Sequence, residues 1–308
     1  MLREILHIII LAWCILLCNS CKQEKYQDEH LTICFTGDVL LDRGVREQIG
    51  KKGIEFLFED VAPVFKNADA TVINLECPVT KTISPINKKY IFRAEPEWFP
   101  TLKENGITHA ALANNHSMDQ GRSGLEDTYR HLSEAGIVPI GYGKNAREAS
   151  KPVFIAKDES CVAIFNAVTL PLENWVYLED RPGINQTSIE TLVTQIKELK
   201  TGKPDFYIVV ILHWGIEFQK EPTIKQRKEA YQLIDAGADV IIGHHPHILQ
   251  KEEIYKEKPI FYSLGNFVFD QSMPAAKEST IIQINFEKDG FSFEKYPVKI
   301  NNCKPELQ

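Results

Sequence analysis

Short apolar runs, each closed by a glycine or a polar residue, recur along the chain from residue 31 onward. Leu31 to Thr36 runs into Gly37-Asp38, and Ala70 to Leu75 runs into Glu76. Ile107 to Ala113 ends at Asn114-Asn115-His116, and Tyr207 to Leu212 ends at His213. Ala238 to Ile242 leads to Gly243-His244-His245-Pro246-His247, and Ile260 to Ser263 leads to Gly265-Asn266. Runs of this length bounded by turn residues predict strands buried on both faces.

Between these runs the apolar spacing becomes helical. Ser123-Gly124-Leu125-Glu126 reads as a capping box, with Leu125, Tyr129 and Leu132 behind it and Gly136 as the stop. Ser188 to Leu199 places Ile189, Leu192, Val193, Ile196 and Leu199 on one face, and Ile224 to Ala236 stops at Gly237. Strands alternating with helices predict an α/β fold. Beyond Ser279 the stretch STIIQINFEKDGFSFEKYPVKI reads as a hairpin turning at Lys288-Asp289-Gly290. No repeat or low-complexity linker interrupts residues 31–308, which read as one globular domain.

The first twenty residues follow another pattern. Arg3 precedes an apolar run of fourteen residues, Ile5 to Cys18. That is short for a membrane span, which needs roughly 20, and suits the apolar region of a secretory signal. The run ends in Leu17-Cys18-Asn19-Ser20-Cys21, which resembles a bacterial lipoprotein signal. The resemblance implies lipidation of Cys21, with Cys18 departing from the aliphatic residue usual at that place. Residues 1–20 are then a signal peptide, residues 21–30 a polar tether, and the protein an extracytoplasmic, membrane-anchored lipoprotein of the cell envelope.

Composition narrows the picture. The 308 residues are 44% hydrophobic and 25% charged, which excludes a disordered or fibrous chain. The net charge of −7 and the lack of a basic block argue against nucleic acid as a partner. The seven cysteines form no CxxC pair, which argues against a zinc ribbon or a thioredoxin-like site. Of the four beyond Cys21, Cys34 and Cys161 lie in strand-like runs and read as small buried residues, whereas Cys77 and Cys303 have no assigned role.

The polar residues at the run ends carry the chemistry. Asp38, Glu76, Asn115, His116, His213, His245 and His247 all follow apolar strands. In an open α/β sheet, ligands bind beyond the carboxyl ends of the strands, so these residues converge on one pocket. Each alone also fits a turn or a satisfied structural group. Three histidines in four positions are harder to explain by packing, and His245 and His247 share a side of an extended segment. Imidazoles with Asp, Glu and Asn oxygens suit manganese, zinc, iron or nickel better than calcium.

Six segments make the pattern familiar: FTGDVLLDRGV (35–45), INLECPVT (73–80), LANNHSMDQG (112–121), LHWGIEF (212–218), DVIIGHHPHILQ (239–250) and IFYSLGNFVFD (260–270). In this order they resemble the motifs of the CapA family, bacterial proteins of the poly-γ-glutamate capsule synthesis type. That family is similar to the calcineurin-like metallophosphoesterases. The resemblance implies a four-layer α/β/β/α sandwich and a site for one or two divalent transition-metal ions.

By the same resemblance, Asp38, Asn115, His213, His245 and His247 are metal ligands. His244 is the alternative to His245, and His116 stands by the reacting group. Glu76 takes the place of the bridging aspartate, in the segment Asn74-Leu75-Glu76. Leu40 occupies the position where the superfamily carries a further histidine. Arg43 fits a substrate carboxylate or phosphate, or a surface loop; Asp119 and Asn266 orient other groups. The implied function is metal-assisted hydrolysis or transfer on an anionic envelope polymer or its precursor. The alternative is a non-catalytic assembly component of a polymer synthase or export complex. A plain phosphatase follows from fold analogy alone.

Overall fold

The computed structural model describes residues 30–174 and 176–308; the apolar leader and Cys21 lie outside the described residues. Two sheets face each other. The first holds β1 (Leu31–Val39), β2 (Ala70–Leu75), β3 (His109–Ala111) and β4 (Val138–Ile140), all parallel. The two-residue strand β5 (Tyr142–Gly143) lies outside both sheets. The second sheet holds β6 (Val153–Lys157) and β7 (Ser160–Val168), a hairpin the sequence reading did not identify. Then come β8 (Gly183–Ile184), which pairs with β5, and β9 (Tyr207–His213), β10 (Val240–His244), β11 (Glu253–Tyr255) and β12 (Lys258–Phe261). In the second sheet β7, β9, β10 and β12 run parallel. The chain then returns to the first sheet as β13 (Asn266–Val268), β14 (Glu278–Glu287), β15 (Gly290–Asn301) and β16 (Lys304–Leu307).

Side-chain alternation explains the layers. Along β9, Val209 and Ile211 point between the sheets, where they meet Ile33 and Phe35 of β1 and Ile282 and Ile284 of β14. Ile208, Val210 and Leu212 point outward and pack on α6 (Ile189–Gly202) and α7 (Ile224–Ala236). On the far side, Cys34 and Val39 of β1 pack on α1 (Arg43–Lys52), α2 (Ala62–Asn67) and α3 (Phe99–Glu104). The result is a four-layer α/β/β/α sandwich. Each large apolar side chain fully buried here contributes roughly 1.5–3 kcal/mol. The layers therefore supply a core that does not depend on any group bound at the strand ends.

Most predicted elements appear with shifted ends. The hairpin turns at Lys288-Asp289 as expected, with Glu287 opposite Gly290. Ser188 caps α6 and Thr223 caps α7, which Gly237 ends at φ 117°. The helix α4 (Gly121–Glu134) differs: it starts at Gly121, so Ser123 lies inside its first turn and does not cap it. The preceding turn does that work through its backbone, with Gly121 N donating to Met118 O at 2.7 Å and Gly124 N to Gln120 O at 3.2 Å. A further one-turn helix, α5 (Ala146–Ala149), follows β5. Cys34, Cys77, Cys161 and Cys303 are free thiols. Burial pushes Cys34 up to about 12, whereas Cys161 is only half-buried.

Candidate metal centre

Parallel strands bring their C-terminal ends together. In the first sheet Asp38 lies in register with Asn74 and with Asn266. Glu76 follows β2 directly, its N–H donating to Val39 O at 2.9 Å. In the second sheet Val168, His213 and His244 lie side by side on β7, β9 and β10. The two edges are joined where the chain crosses between sheets: Asp38 N donates to Gly265 O at 2.9 Å, and Leu264 N to Gly243 O at 3.1 Å.

Two glycines permit this junction. A Cβ on Gly37 would lie 2.2 Å from Gly265 O, and one on Gly243 would lie 2.0 Å from Tyr262 O. Gly243→Ala should therefore force the strands apart and lower stability by about 1–3 kcal/mol. Thermal unfolding of the variant checks this; an unchanged midpoint would show that the edge has room to relax.

Asp38 is the centre of one cluster. It is fully buried; its Oδ1 accepts from Asn74 Nδ2 at 2.8 Å and lies 3.1 Å from His244 Nδ1. Its Oδ2 lies 3.1 Å from His247 Nδ1, which is also 3.0 Å from Asn266 Oδ1. Burial alone would raise the Asp38 pKa, but the contacts with His244 and His247 hold it well below the usual range. Of the adjacent histidines, His244 and His247 therefore face Asp38, whereas His245 turns toward His213, with ring centroids 5.0 Å apart. The segment is not extended here: His245 has φ 96° and His247 φ 59°. Such backbone conformations are costly for a residue other than glycine and persist at sites where the surroundings impose them.

Glu76 is the second centre. It has no exposed surface, and neither carboxylate oxygen has a hydrogen-bond partner. Around Oε1 stand three imidazole nitrogens: Nε2 of His247 at 3.8 Å, of His213 at 3.9 Å and of His116 at 4.0 Å. Those separations are too long for hydrogen bonds. They suit atoms sharing an ion, since two ligands each roughly 2.0–2.3 Å from one ion lie at most about 4.6 Å apart. Asp38, Glu76 and His247 each offer one ligand atom, all within 4.8 Å of one another. Burial and the charge of Asp38 push the Glu76 pKa well above the usual range. A buried carboxylate left unpaired among nitrogens is costly, and a divalent cation removes the cost. The residues present fit such an ion.

Other predicted residues complete the ring. His213 Nε2 lies 2.9 Å from Asn115 Oδ1. Burial keeps His213 well below its usual pKa and takes His245 to about 3, so both are neutral imidazoles, the form that binds metal. His116 Nδ1 lies 2.7 Å from Asp119 Oδ2, which also accepts from Phe92 N at 2.9 Å. Donation from Nδ1 to that carboxylate leaves His116 Nε2 facing Glu76. Leu40 is buried in the outer core and offers nothing to the site.

Arg43 stands at the rim. Its guanidinium carbon is 4.9 Å from the Phe92 centroid and 5.5 Å from that of Phe269. Those rings pack on His116 and His247, at 4.3 and 5.0 Å. Arg43 pairs with Asp270, while its Nε is buried without a partner.

Two contributors escape the sequence pattern. Asn114 Nδ2 donates to Leu75 O at 2.8 Å, and its Oδ1 accepts from His116 N at 3.0 Å, which fixes the turn carrying His116. Its place beside Asn115 was a usable signal. Lys88 comes from a polar loop with no such signal. Its buried Nζ donates to Asn115 O at 2.6 Å and to Asp119 Oδ1 at 3.2 Å.

A model of the bacterial capsule synthesis protein PGA_cap family matches residues 32–271. The chain belongs to this family. It is 34% identical over 288 residues to the capsule biosynthesis protein CapA of Bacillus anthracis, covering 91% of this chain and 70% of that one. It is 33% identical to the PGA biosynthesis protein CapA of Bacillus subtilis (strain 168), covering 92% of this chain and 75% of that one.

Among solved structures, a hypothetical protein from Thermus thermophilus matches with a TM-score of 0.52 at 12% identity, over 87% of this chain and 99% of that one. The NAD nucleotidase (NadN) of Haemophilus influenzae matches with a TM-score of 0.53 at 13% identity, over 91% of this chain and 53% of that one. At such identities the likeness is one of fold. This PGA_cap chain shares the sandwich fold of those two proteins.

Proposed function

We propose that this chain is a membrane-tethered, metal-dependent enzyme that hydrolyses or transfers groups on an anionic capsule polymer or its precursor. Poly-γ-glutamate or a related envelope polymer is the substrate class. The observation that carries the reading is the Glu76 carboxylate, buried and unpaired amid three imidazole nitrogens.

Asp38, Glu76 and His247 would hold a divalent transition metal, with Asn115, His213 and the His244-His245 pair beside them. Such an ion would supply Lewis-acid polarisation of an acyl or phosphoryl oxygen. His116, held through Nδ1 by Asp119, takes a proton at Nε2 from solvent, and the imidazolium so formed beside Asp119 passes that proton to the leaving group. Arg43, partly exposed at the rim, is placed to meet a substrate carboxylate or phosphate. Capsule and PGA biosynthesis are named for the two relatives above, which supports the polymer class.

The test is the double change His245→Ala plus His247→Ala. It should abolish metal uptake and polymer cleavage or transfer while leaving the circular dichroism spectrum nearly unchanged, because the core lies elsewhere. Full function of the variant in a capsule assay would sink the catalytic reading. Leu40, buried where a further ligand would stand, favours the second reading, a binding component of a polymer synthase or export complex. That component would tolerate the loss of the ion.

The tether has its own test. Cys21→Ala should move the protein from the membrane to the soluble fraction and stop incorporation of labelled lipid. Equal membrane association of variant and wild type, with neither labelled, would remove the anchor from the account.

A further inference from the structure

Lys88 and Lys89 stand side by side in the polar loop of residues 81–91 that follows β2. Lys89 is exposed, its Nζ 4.9 Å from the Tyr90 ring centroid. Lys88 turns inward, and its side chain is only 6% exposed. A lysine is rarely buried unless partners offset its lost hydration.

Those partners flank a single residue. Lys88 Nζ donates to Asn115 O at 2.6 Å and to Asp119 Oδ1 at 3.2 Å, one residue before His116 and three after it. It also lies 3.2 Å from His116 Nδ1. That nitrogen stands 2.7 Å from Asp119 Oδ2, and while it donates there it cannot accept from the ammonium. Lys88 therefore acts on the turn and the carboxylate around the imidazole, and not on the ring itself.

Asp119 has no exposed side-chain surface, and it accepts from His116 Nδ1, from Phe92 N at 2.9 Å and from Lys88 Nζ. Of these donors Lys88 brings the positive charge, and a buried carboxylate stripped of such a partner is strongly disfavoured. The loop is pinned beside the same turn: Ile86 N donates to Asp119 O at 3.1 Å, and Ser84 N to Gln120 Oε1 at 3.0 Å. Phe92, just past the loop, lays its ring on His116 with centroids 4.3 Å apart.

We infer that Lys88 is a positioning residue: its ammonium bridges the Asn115 carbonyl and the Asp119 carboxylate, and so holds His116 with Nδ1 on Asp119 and Nε2 toward Glu76. That Nε2 is 4.0 Å from Glu76 Oε1. It is where the function proposed above places proton transfer, and to that extent the role of Lys88 rests on that reading. The clamp itself is a matter of geometry.

Nuclear magnetic resonance of the full-length, metal-free protein, isotope-labelled at histidine, tests the clamp. The wild type should show a slowly exchanging Nδ1 proton that His116→Ala removes. Lys88→Met keeps the reach of the side chain without its charge or donors. It should raise the exchange rate of that proton at least about tenfold, with the amides of β9 unchanged. Lys88→Arg keeps a cation with several donors and should stay within about threefold of the wild type. Wild-type exchange in Lys88→Met, an equal rise at the β9 amides, or a rise in Lys88→Arg as large as in Lys88→Met would overturn the role. So would a wild type without that protected proton. None of these readouts needs turnover or a bound ion, so a failure here is separable from a failure of the proposed enzyme activity.

Discussion

Glu76→Gln should yield a protein that no longer retains a divalent ion yet is more stable than the metal-free wild type. The carboxylate is fully buried, has no hydrogen-bond partner and stands near Asp38. Losing a supporting group around a bound metal already costs 10–100-fold in affinity, so loss of this central carboxylate should cost on the order of 10²-fold or more. Burying the wild-type carboxylate requires it to take up a proton or stay charged without a partner, a cost that Gln does not carry, so the variant should also stabilise the metal-free fold by roughly 1–3 kcal/mol.

A pH signature follows. Glu76 is raised well above its usual pKa, and His247 is raised from 6.5 to about 9: burial lowers it, but the charges of Glu76 and Asp38 outweigh that. In both cases the folded state holds protons more tightly than the unfolded chain. Their contribution is thus lost as pH rises, and stability falls between pH 6.5 and 9. Glu76→Gln removes one group and one cause of the other's shift, the hydrogen bond and charge of Asp38 remaining, so its profile should be flatter. Metal binding and thermal unfolding across that range check both effects. A variant that retains the ion, or keeps the wild-type slope, would contradict the role given to Glu76.

The second large effect belongs to His116. His116→Ala should keep the metal within a few-fold and lose the rate by on the order of 10²–10⁴-fold, the cost of a missing proton-transfer group. Its Nδ1 is engaged by Asp119, and its Nε2 is the most distant of the three imidazole nitrogens around Glu76, at 4.0 Å. Turnover of the metal-loaded protein and its metal content should be measured together. Loss of both would make His116 a ligand.

Much of the site was legible because parallel strands buried on both faces read as short apolar runs, and their ends must coincide. Asp38, Glu76 and His213 follow from that alone. The choice among His244, His245 and His247 does not. Alternation along an extended strand pairs His245 with His247. Instead, β10 continues through His244, and the positive φ at His245 breaks the alternation, leaving His244 and His247 on Asp38. Lys88 was invisible for another reason. Its loop carries no apolar period, and only the fold shows that its ammonium is buried against Asn115 and Asp119. The β6–β7 hairpin was missed because β6 is exposed at alternate positions, at the edge of its sheet.

The central claim is that one ion is shared by residues from both sheets. Crystals of the protein soaked in manganese or zinc, with anomalous difference maps recorded at the metal edge, test it directly. The account predicts a peak roughly 2.0–2.3 Å from oxygens of Asp38 and Glu76 and from a nitrogen of His247. A map without a peak there, in crystals that bind the metal elsewhere, would contradict it.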